Sequence, residues 1–318
     1  MNIRKKIKPI HIIIAAALFY SGFFIISGLL EAIGAIRSFP LWMFFVMLGL
    51  ASLNYFFRFL KWHYYLTIIE VDIPLKHSIL VFLSGFSMTI TPAKSGELIK
   101  PYILQKFGHE MSHTTPVVFA ERFTDLIGMT ILVILGSITF GFGLIPILIL
   151  TGILIFCVFS IQYEPIPLRI ITALSRIPRL ASQSEKISTL YNSSRLLTTR
   201  TPLVITSALS VLSWFFECLC LYVALMGIGY NIPVFDATFI FAFSTLAGII
   251  SMLPGGLGAT EGVMMVLLTR QEIPLGAATA ATLLARAATL WFAVIIGLIA
   301  FYYTGRIIPS VVSEPVEK

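Results

Sequence analysis

The sequence predicts an all-α polytopic membrane protein with about six transmembrane helices plus two re-entrant helical hairpins in an inverted repeat. Three observations predict it. Of 318 residues, 58% are hydrophobic and only 12% charged, a balance that no soluble domain of this size carries. Six stretches are long and apolar enough to cross a bilayer core, which needs about 20 helical residues. The same Gly/Pro-broken, polar-studded segment occurs twice, as TITPAKSGELIK over residues 89–100 and as SMLPGGLGATEG over residues 251–262. Interrupted segments at corresponding places in two halves point to the binding site of a membrane transporter.

The chain opens with Arg4, Lys5, Lys6 and Lys8 and enters a first span at 9–34. That apolar run is too long for a signal peptide and lacks a small-residue cleavage site, so the helix is expected to be retained. A second span covers 41–66. The pieces 77–92 and 95–106 are too short to cross but suit a re-entrant hairpin. Such broken backbone survives at membrane depth only where protein or a water-filled cavity surrounds it. Spans follow at 116–140 and 142–162, then a polar, basic connection of unstructured character at 163–201. The second half repeats the pattern, with a span at 202–228, a hairpin from 236–252 and 256–269, and a span at 275–303.

Lys and Arg collect in cytoplasmic loops. The basic N-terminus and the 163–201 loop, with Arg169, Arg176, Arg179, Lys186, Arg195 and Arg200, are therefore expected inside, and the turns carrying Arg37 and Arg270 outside. Both termini would be cytoplasmic, in a multi-pass protein of the cell (cytoplasmic) membrane. This topology, with attraction to anionic inner-leaflet lipid, accounts for the net charge of +7, and no nucleic-acid partner is expected.

The repeat has a register. Pro92 and Pro254 are 162 residues apart, as are Gly96 and Gly258, and moving the span 41–66 by 162 lands on 203–228. Arg122 and Arg286, in the spans that follow the hairpins, are separated by 164. Within a single transmembrane domain, 1–318, each half (about 41–140 and 203–303) reads span, broken hairpin, span. The first hairpin is entered from the cytoplasm and the second from outside.

Ionisable groups in hydrocarbon are costly and usually paired or functional. Lys61, followed by Trp62, His63, Tyr64 and Tyr65, reads as part of an interfacial belt whose lysine snorkels, and Lys100 and Lys106 admit the same reading. Glu121 and Arg122 either pair with other buried charges or meet a ligand. Arg286 lies 11 residues into a span beginning at Leu275, out of easy reach of either interface. Glu261 or Glu217 could partner it, but a ligand phosphate is the sharper reading, because guanidinium forks bind phosphate bidentately.

Helix restarts after Pro92 and Pro254 direct free backbone N–H groups and a positive dipole end inward, while Gly96, Gly255, Gly256 and Gly258 permit close backbone approach. Arg58, Lys94, Arg122 and Arg286 are the candidate lipid phosphate-binding residues. Glu97, Asp125, Glu217 and Glu261 are candidates for counter-charge or proton coupling, with helix capping an equal reading for Glu97 and Glu261. Cys157, Cys218 and Cys220 fall in spans, where packing is their ordinary role. The five His residues lack carboxylate or Cys partners at ligand spacing, so neither metal nor cofactor is expected.

The strings GFSMTITPAKSGELIKPYIL (85–104), ERFTDLIG (121–128), LPGGLGATEG (253–262) and LLARAATLW (283–291) resemble the lysylphosphatidylglycerol synthase transmembrane-region family, also called flippase-like integral membrane proteins, over residues 10–305. The resemblance implies a lipid flippase or translocase domain, like the N-terminal half of the enzyme that makes and exposes lysylated phosphatidylglycerol. Only 15 residues follow Tyr303, so neither a soluble aminoacyl-transferase domain nor synthase activity is expected. The expected ligand is a membrane lipid with an anionic or polyprenyl-phosphate-type headgroup. Two other classes compete. A membrane enzyme acting on lipid phosphate would need a nucleophile or metal-binding carboxylates, and no DxD-like or His-rich signature is present. A non-transporting partner of a separate lipid-modifying transferase would use the 163–201 loop as its docking surface.

Overall fold

A computed structural model describes residues 29–91, 96–140, 148–149, 151–153, 156 and 184–307. All regular structure among the described residues is helical, and the chain is an all-α polytopic membrane protein. Its helices are α1 (Leu29–Arg37), α2 (Leu41–Ile68), α3 (Leu75–Gly85, continued by a 3₁₀ turn Phe86–Met88), α4 (Ile99–Gln105), α5 (Met111–Phe140) and α6 (Ser184–Leu197). They continue as α7 (Arg200–Gly227), α8 (Val234–Ile250), α9 (Ala259–Arg270), α10 (Leu275–Arg286) and α11 (Phe292–Ile307). A π turn, Ala287–Trp291, joins the last two into one segment.

Among the described residues, four segments are long and apolar enough to cross a membrane: α2, α5, α7 and the α10–α11 unit. They match the predicted spans 41–66, 116–140, 202–228 and 275–303. Most of the predicted spans 9–34 and 142–162 lies outside the described residues. The two predicted hairpins are found as the short apolar limbs α3 and α8, each followed by a broken turn and a second limb, α4 or α9.

The helices end alike because their ends are built alike. After α2, α4, α7 and α9 the chain takes a left-handed residue, Glu70 (φ 55°), Gly108 (91°), Gly229 (90°) or Glu272 (60°). The next N–H then reaches back across the last turn: Val71 to Leu66 O (3.0 Å), His109 to Leu104 O (3.3 Å), Tyr230 to Leu225 O (2.9 Å) and Ile273 to Leu268 O (3.3 Å). This is the Schellman closure, which satisfies carbonyls that the helix itself leaves open. Pro74, Pro233 and Pro274, at φ −53°, −56° and −55°, then start α3, α8 and α10. Proline fixes that angle and holds the preceding residue extended, so each reversal takes only a few residues.

These turns correct the repeat register. Before the hairpin tips the halves are offset by 159 residues, Leu41 matching Arg200 and Leu75 matching Val234; after them the offset is 164, Met111 matching Leu275. The value of 162 read from Pro92 and Gly96 falls between, because the second tip region is five residues longer than the first. Packing is reciprocal. Helices α2 and α7 pack together, and Asn54 donates to the backbone oxygen of Ser213 at 2.8 Å, two positions 159 apart and hence equivalent in the halves. Helix α5 of the first half packs on limb α8 of the second, and α11 packs on limb α3 of the first.

Glycines allow the closing helices to approach. A Cβ on Gly136 would lie 2.6 Å from Phe235 O, and one on Gly297 would lie 2.5 Å from the Phe86 carbonyl carbon. Gly297→Val is therefore expected to destabilise the fold by about 1–3 kcal/mol through overpacking, measured as a lower thermal midpoint in detergent. An unchanged midpoint would show that α11 and the first hairpin are not locked together.

The connection read as unstructured contains a helix. Helix α6 packs on α5 with Ser193 and Leu197 buried, and His113 bridges it to the end of α2 through Ser193 Oγ (3.0 Å) and Ile69 O (2.7 Å). Residues 163–183 of that connection lie outside the described residues.

Candidate functional site

The two hairpin tips meet. Ile90 of the first and Leu257 of the second pack with Leu290 and Val294 in a small apolar cluster beside the π turn. Next to it lies a cavity of about 230 Å³, lined by Arg58 of α2, Arg122 and Asp125 of α5, Trp214 and Glu217 of α7, Arg286 of α10 and Gly255 and Gly256 of the second tip. Three of the four predicted phosphate-binding cations thus converge on one space. Lys94 and Pro92 lie outside the described residues.

The second tip is legible residue by residue. Pro254 opens a 3₁₀ turn ending at Gly256, and α9 restarts at Ala259, after Gly258 and not directly after the proline. Gly255, Gly256 and Gly258 have φ of 62°, 67° and 85°, which glycine adopts without steric cost. A Cβ on Gly256 would fall 3.2 Å from the Cα of Gly248, so the tip lies directly on α8. Glu261 Oε2 accepts the Gly258 N–H at 2.7 Å. The helix start predicted as an open anion site is therefore partly filled by its own carboxylate, the capping role weighed for Glu261. At the first tip, Gly96 N–H donates to Thr91 Oγ1 at 2.7 Å.

Each half carries one Glu–Arg pair with the same spacing of 25 residues. Glu261 Oε1 accepts from Nε of Arg286 at 2.6 Å, and Glu97 Oε2 lies 2.9 Å from Nη2 of Arg122. Each pair ties a hairpin's second limb to the helix that follows. They differ in grip. Arg286 also donates Nη2 to Gly255 O at 2.9 Å, and its side chain is 7% exposed. Arg122 is 22% exposed and lies 3.2 Å from Asp125, but its Nε and Nη2 make no aligned hydrogen bond. Its N–H groups thus remain directionally available to a ligand.

Behind Arg122 is a second layer of charge. Lys61, read as a snorkelling interfacial lysine, is instead buried: its ammonium sits 2.5 Å from Asp125 Oδ1 and 2.8 Å from Ser210 Oγ. Lys100 does not snorkel either. It pairs with Glu121, lies 3.8 Å from Glu97, and has its ammonium 4.6 Å from the centre of the Trp62 ring. Both lysines were misread for one reason. The aromatic run after Lys61 suggested an interface, a reading carried over to Lys100, whereas the carboxylates that hold both come from α5, 64 and 21 residues away in sequence. Gly128 lets α7 approach closely enough for Ser210 to join this layer, since a Cβ there would lie 2.9 Å from the Ser210 backbone.

Arg58 is different. It is buried, forms no ion pair with any described residue, and its Nε has no hydrogen-bond partner. Its guanidinium carbon lies 5.0 Å from the centre of Phe86 and 5.9 Å from that of Trp214. Two rings hold the group in place without neutralising it.

The mouth of the cavity is apolar. Met252 and Leu253 line it and are also exposed, 68% and 41%. Sequence reasoning missed Lys61 and the aromatic pair around Arg58. It weighed Glu261 as a partner of Arg286 but missed the Glu97–Arg122 pair, although the repeated 25-residue spacing could have revealed it.

Comparison with known proteins agrees with the architecture. A UPF0104 membrane protein of Methanocaldococcus jannaschii is 26% identical over 270 residues, covering 77% of this chain and 80% of the relative. A second from that organism is 29% identical over 248 residues, covering 72% and 97%. One from Methanothermobacter thermautotrophicus is 29% identical over 245 residues, covering 71% and 73%. Residues 12–297 match the profile of the lysylphosphatidylglycerol synthase TM region, and the chain belongs to that family.

Proposed function

We propose that the chain moves a phosphate-bearing anionic lipid between the leaflets of the cytoplasmic membrane, with the headgroup held in the arginine-lined cavity. The observation that carries this reading is Arg58. Arg58 is buried with no ion pair to any described residue, an unfavourable place for a charge, and it faces a cavity in which two more guanidinium groups converge beside the carboxylates of Asp125 and Glu217. An anion would complete it. The apolar mouth at Met252 and Leu253 suits a headgroup that remains attached to a hydrocarbon chain.

Arg122 and Arg286 would share the phosphate, with Glu97, Asp125, Glu217 and Glu261 as counter-charges. Because each Glu–Arg pair ties a hairpin to the following helix, a phosphate competing for the arginine would loosen that tie. Binding would thereby be linked to movement of the tips. The basic loop segments support cytoplasmic termini and oppositely inserted hairpins. No chemical step is assigned to the chain in this reading.

Liposomes containing the pure protein are expected to exchange labelled phosphatidylglycerol between leaflets faster than labelled phosphatidylcholine. Arg58→Gln should slow the anionic lipid by at least about tenfold, the lower end of what a hydrogen bond to a charged group contributes. Background rates for every lipid would sink the transport reading and favour a partner of a separate transferase.

A further inference from the structure

We infer that anion binding in this cavity is coupled to the uptake of one proton, and that Glu261 carries it. The inference rests on reading the cavity as a site for a phosphate-bearing headgroup. Glu261 is fully buried, and each of its oxygens has a different partner: Oε1 accepts from Arg286 Nε and Oε2 from the Gly258 amide. Among the described residues, Arg286 is the cation that neutralises it.

The carboxylates around Arg122 are better provided for. Asp125 also has Lys61 at 2.5 Å, and Glu97 also has Lys100 at 3.8 Å. An anion that takes over Arg122 leaves both beside a cation. One that takes over Arg286 leaves the fully buried Glu261 with a single amide. A carboxylate in that position is strongly disfavoured as the anion and becomes neutral instead.

Protonation there needs little rearrangement. Neutral Glu261 still accepts the Gly258 N–H, so α9 stays capped. Arg286 stays anchored on Gly255 O, and its charge passes to the ligand. The proton comes from bulk water and leaves when the anion leaves. Besides Arg286, the charged groups on the cavity wall are Arg58 on α2, Arg122 and Asp125 on α5, and Glu217 on α7; α8 contributes no titratable group to it. The bound state holds one more proton than the free state, so affinity falls as pH rises.

The test uses the full chain in detergent with dioctanoyl phosphatidylglycerol as probe and inorganic phosphate in parallel. Calorimetry in two buffers of different protonation enthalpy gives the protons taken up per ligand bound. The expected result is close to one for the wild type with the lipid, none for Glu261→Gln, and one again for Glu261→Asp. Glu261→Gln should also bind with an affinity that no longer depends on pH, and its thermal midpoint reports whether it folds. Should Glu261→Gln fail to fold, the wild-type proton count and the Glu261→Asp variant still decide. Wild-type binding without proton uptake, or uptake that persists in a folded Glu261→Gln protein, overturns the inference while leaving the anion site standing. Binding of inorganic phosphate as tight as the lipid overturns the lipid as the preferred ligand and marks the phosphate alone; because inorganic phosphate itself exchanges a proton near neutral pH, the proton count is read from the lipid. Failure of both probes to bind the wild type overturns the site itself.

Discussion

Arg286→Ala is expected to abolish measurable lipid movement in liposomes while the protein still inserts and purifies as a helical molecule. Arg286 is the residue through which the second hairpin, the π turn and the cavity meet: Nε holds Glu261, Nη2 holds the tip carbonyl of Gly255, and the side chain lines the cavity. Removing it deletes a ligand contact worth about 1.5–3 kcal/mol. It also orphans a fully buried carboxylate, and breaking a buried pair costs about 3–5 kcal/mol. The two effects separate in the double variant Arg286→Ala/Glu261→Gln. That protein should regain much of the lost thermal stability, because no buried charge is left behind, yet still fail to move lipid. Recovery of movement in the double variant would reduce Arg286 to a structural counter-ion.

Lys61→Met should give the largest loss of stability of any single substitution in the first half, about 3–5 kcal/mol. Its ammonium is held by Asp125, Ser210 and the backbone oxygen of Glu121, joining α2, α5 and α7. With the ammonium gone, Asp125 keeps the side contact to Arg122 at 3.2 Å and the Ser210 hydroxyl at 3.3 Å. Lys61→Met/Asp125→Leu removes both charges, and replacing a buried pair by apolar groups of similar volume is often neutral or better. The double variant should therefore unfold close to the wild-type temperature in detergent. A single variant as stable as wild type would mean that water reaches Asp125 and that the pair is not buried in the membrane-embedded protein.

Much of the architecture was legible because it is a matter of length and periodicity. The spans at 41–66, 202–228 and 275–303 follow from runs of apolar residues that must satisfy their backbone internally, and the hairpin limbs from runs too short to do so across a bilayer. Pro254 and the glycines after it marked the second tip, since few other residues tolerate that backbone. Helix α6 was not legible, because its composition is polar and only its seat on α5 buries Ser193 and Leu197.

The sequence by itself determined the class of molecule, the four long helices, the two broken hairpins and the identity of the arginines that converge, because each depends on local composition or on a repeat visible in one dimension. The tertiary structure alone decided which charge meets which. It turned Lys61 and Lys100 from interfacial lysines into buried ion-pair partners, made Glu261 a cap and a counter-ion at once, and set Arg58 between two rings with no ion pair to a described residue. The physical reason is range. Hydrophobic length is read along the chain, whereas an ion pair in a low-dielectric interior is set by a few ångströms between residues brought together from distant helices.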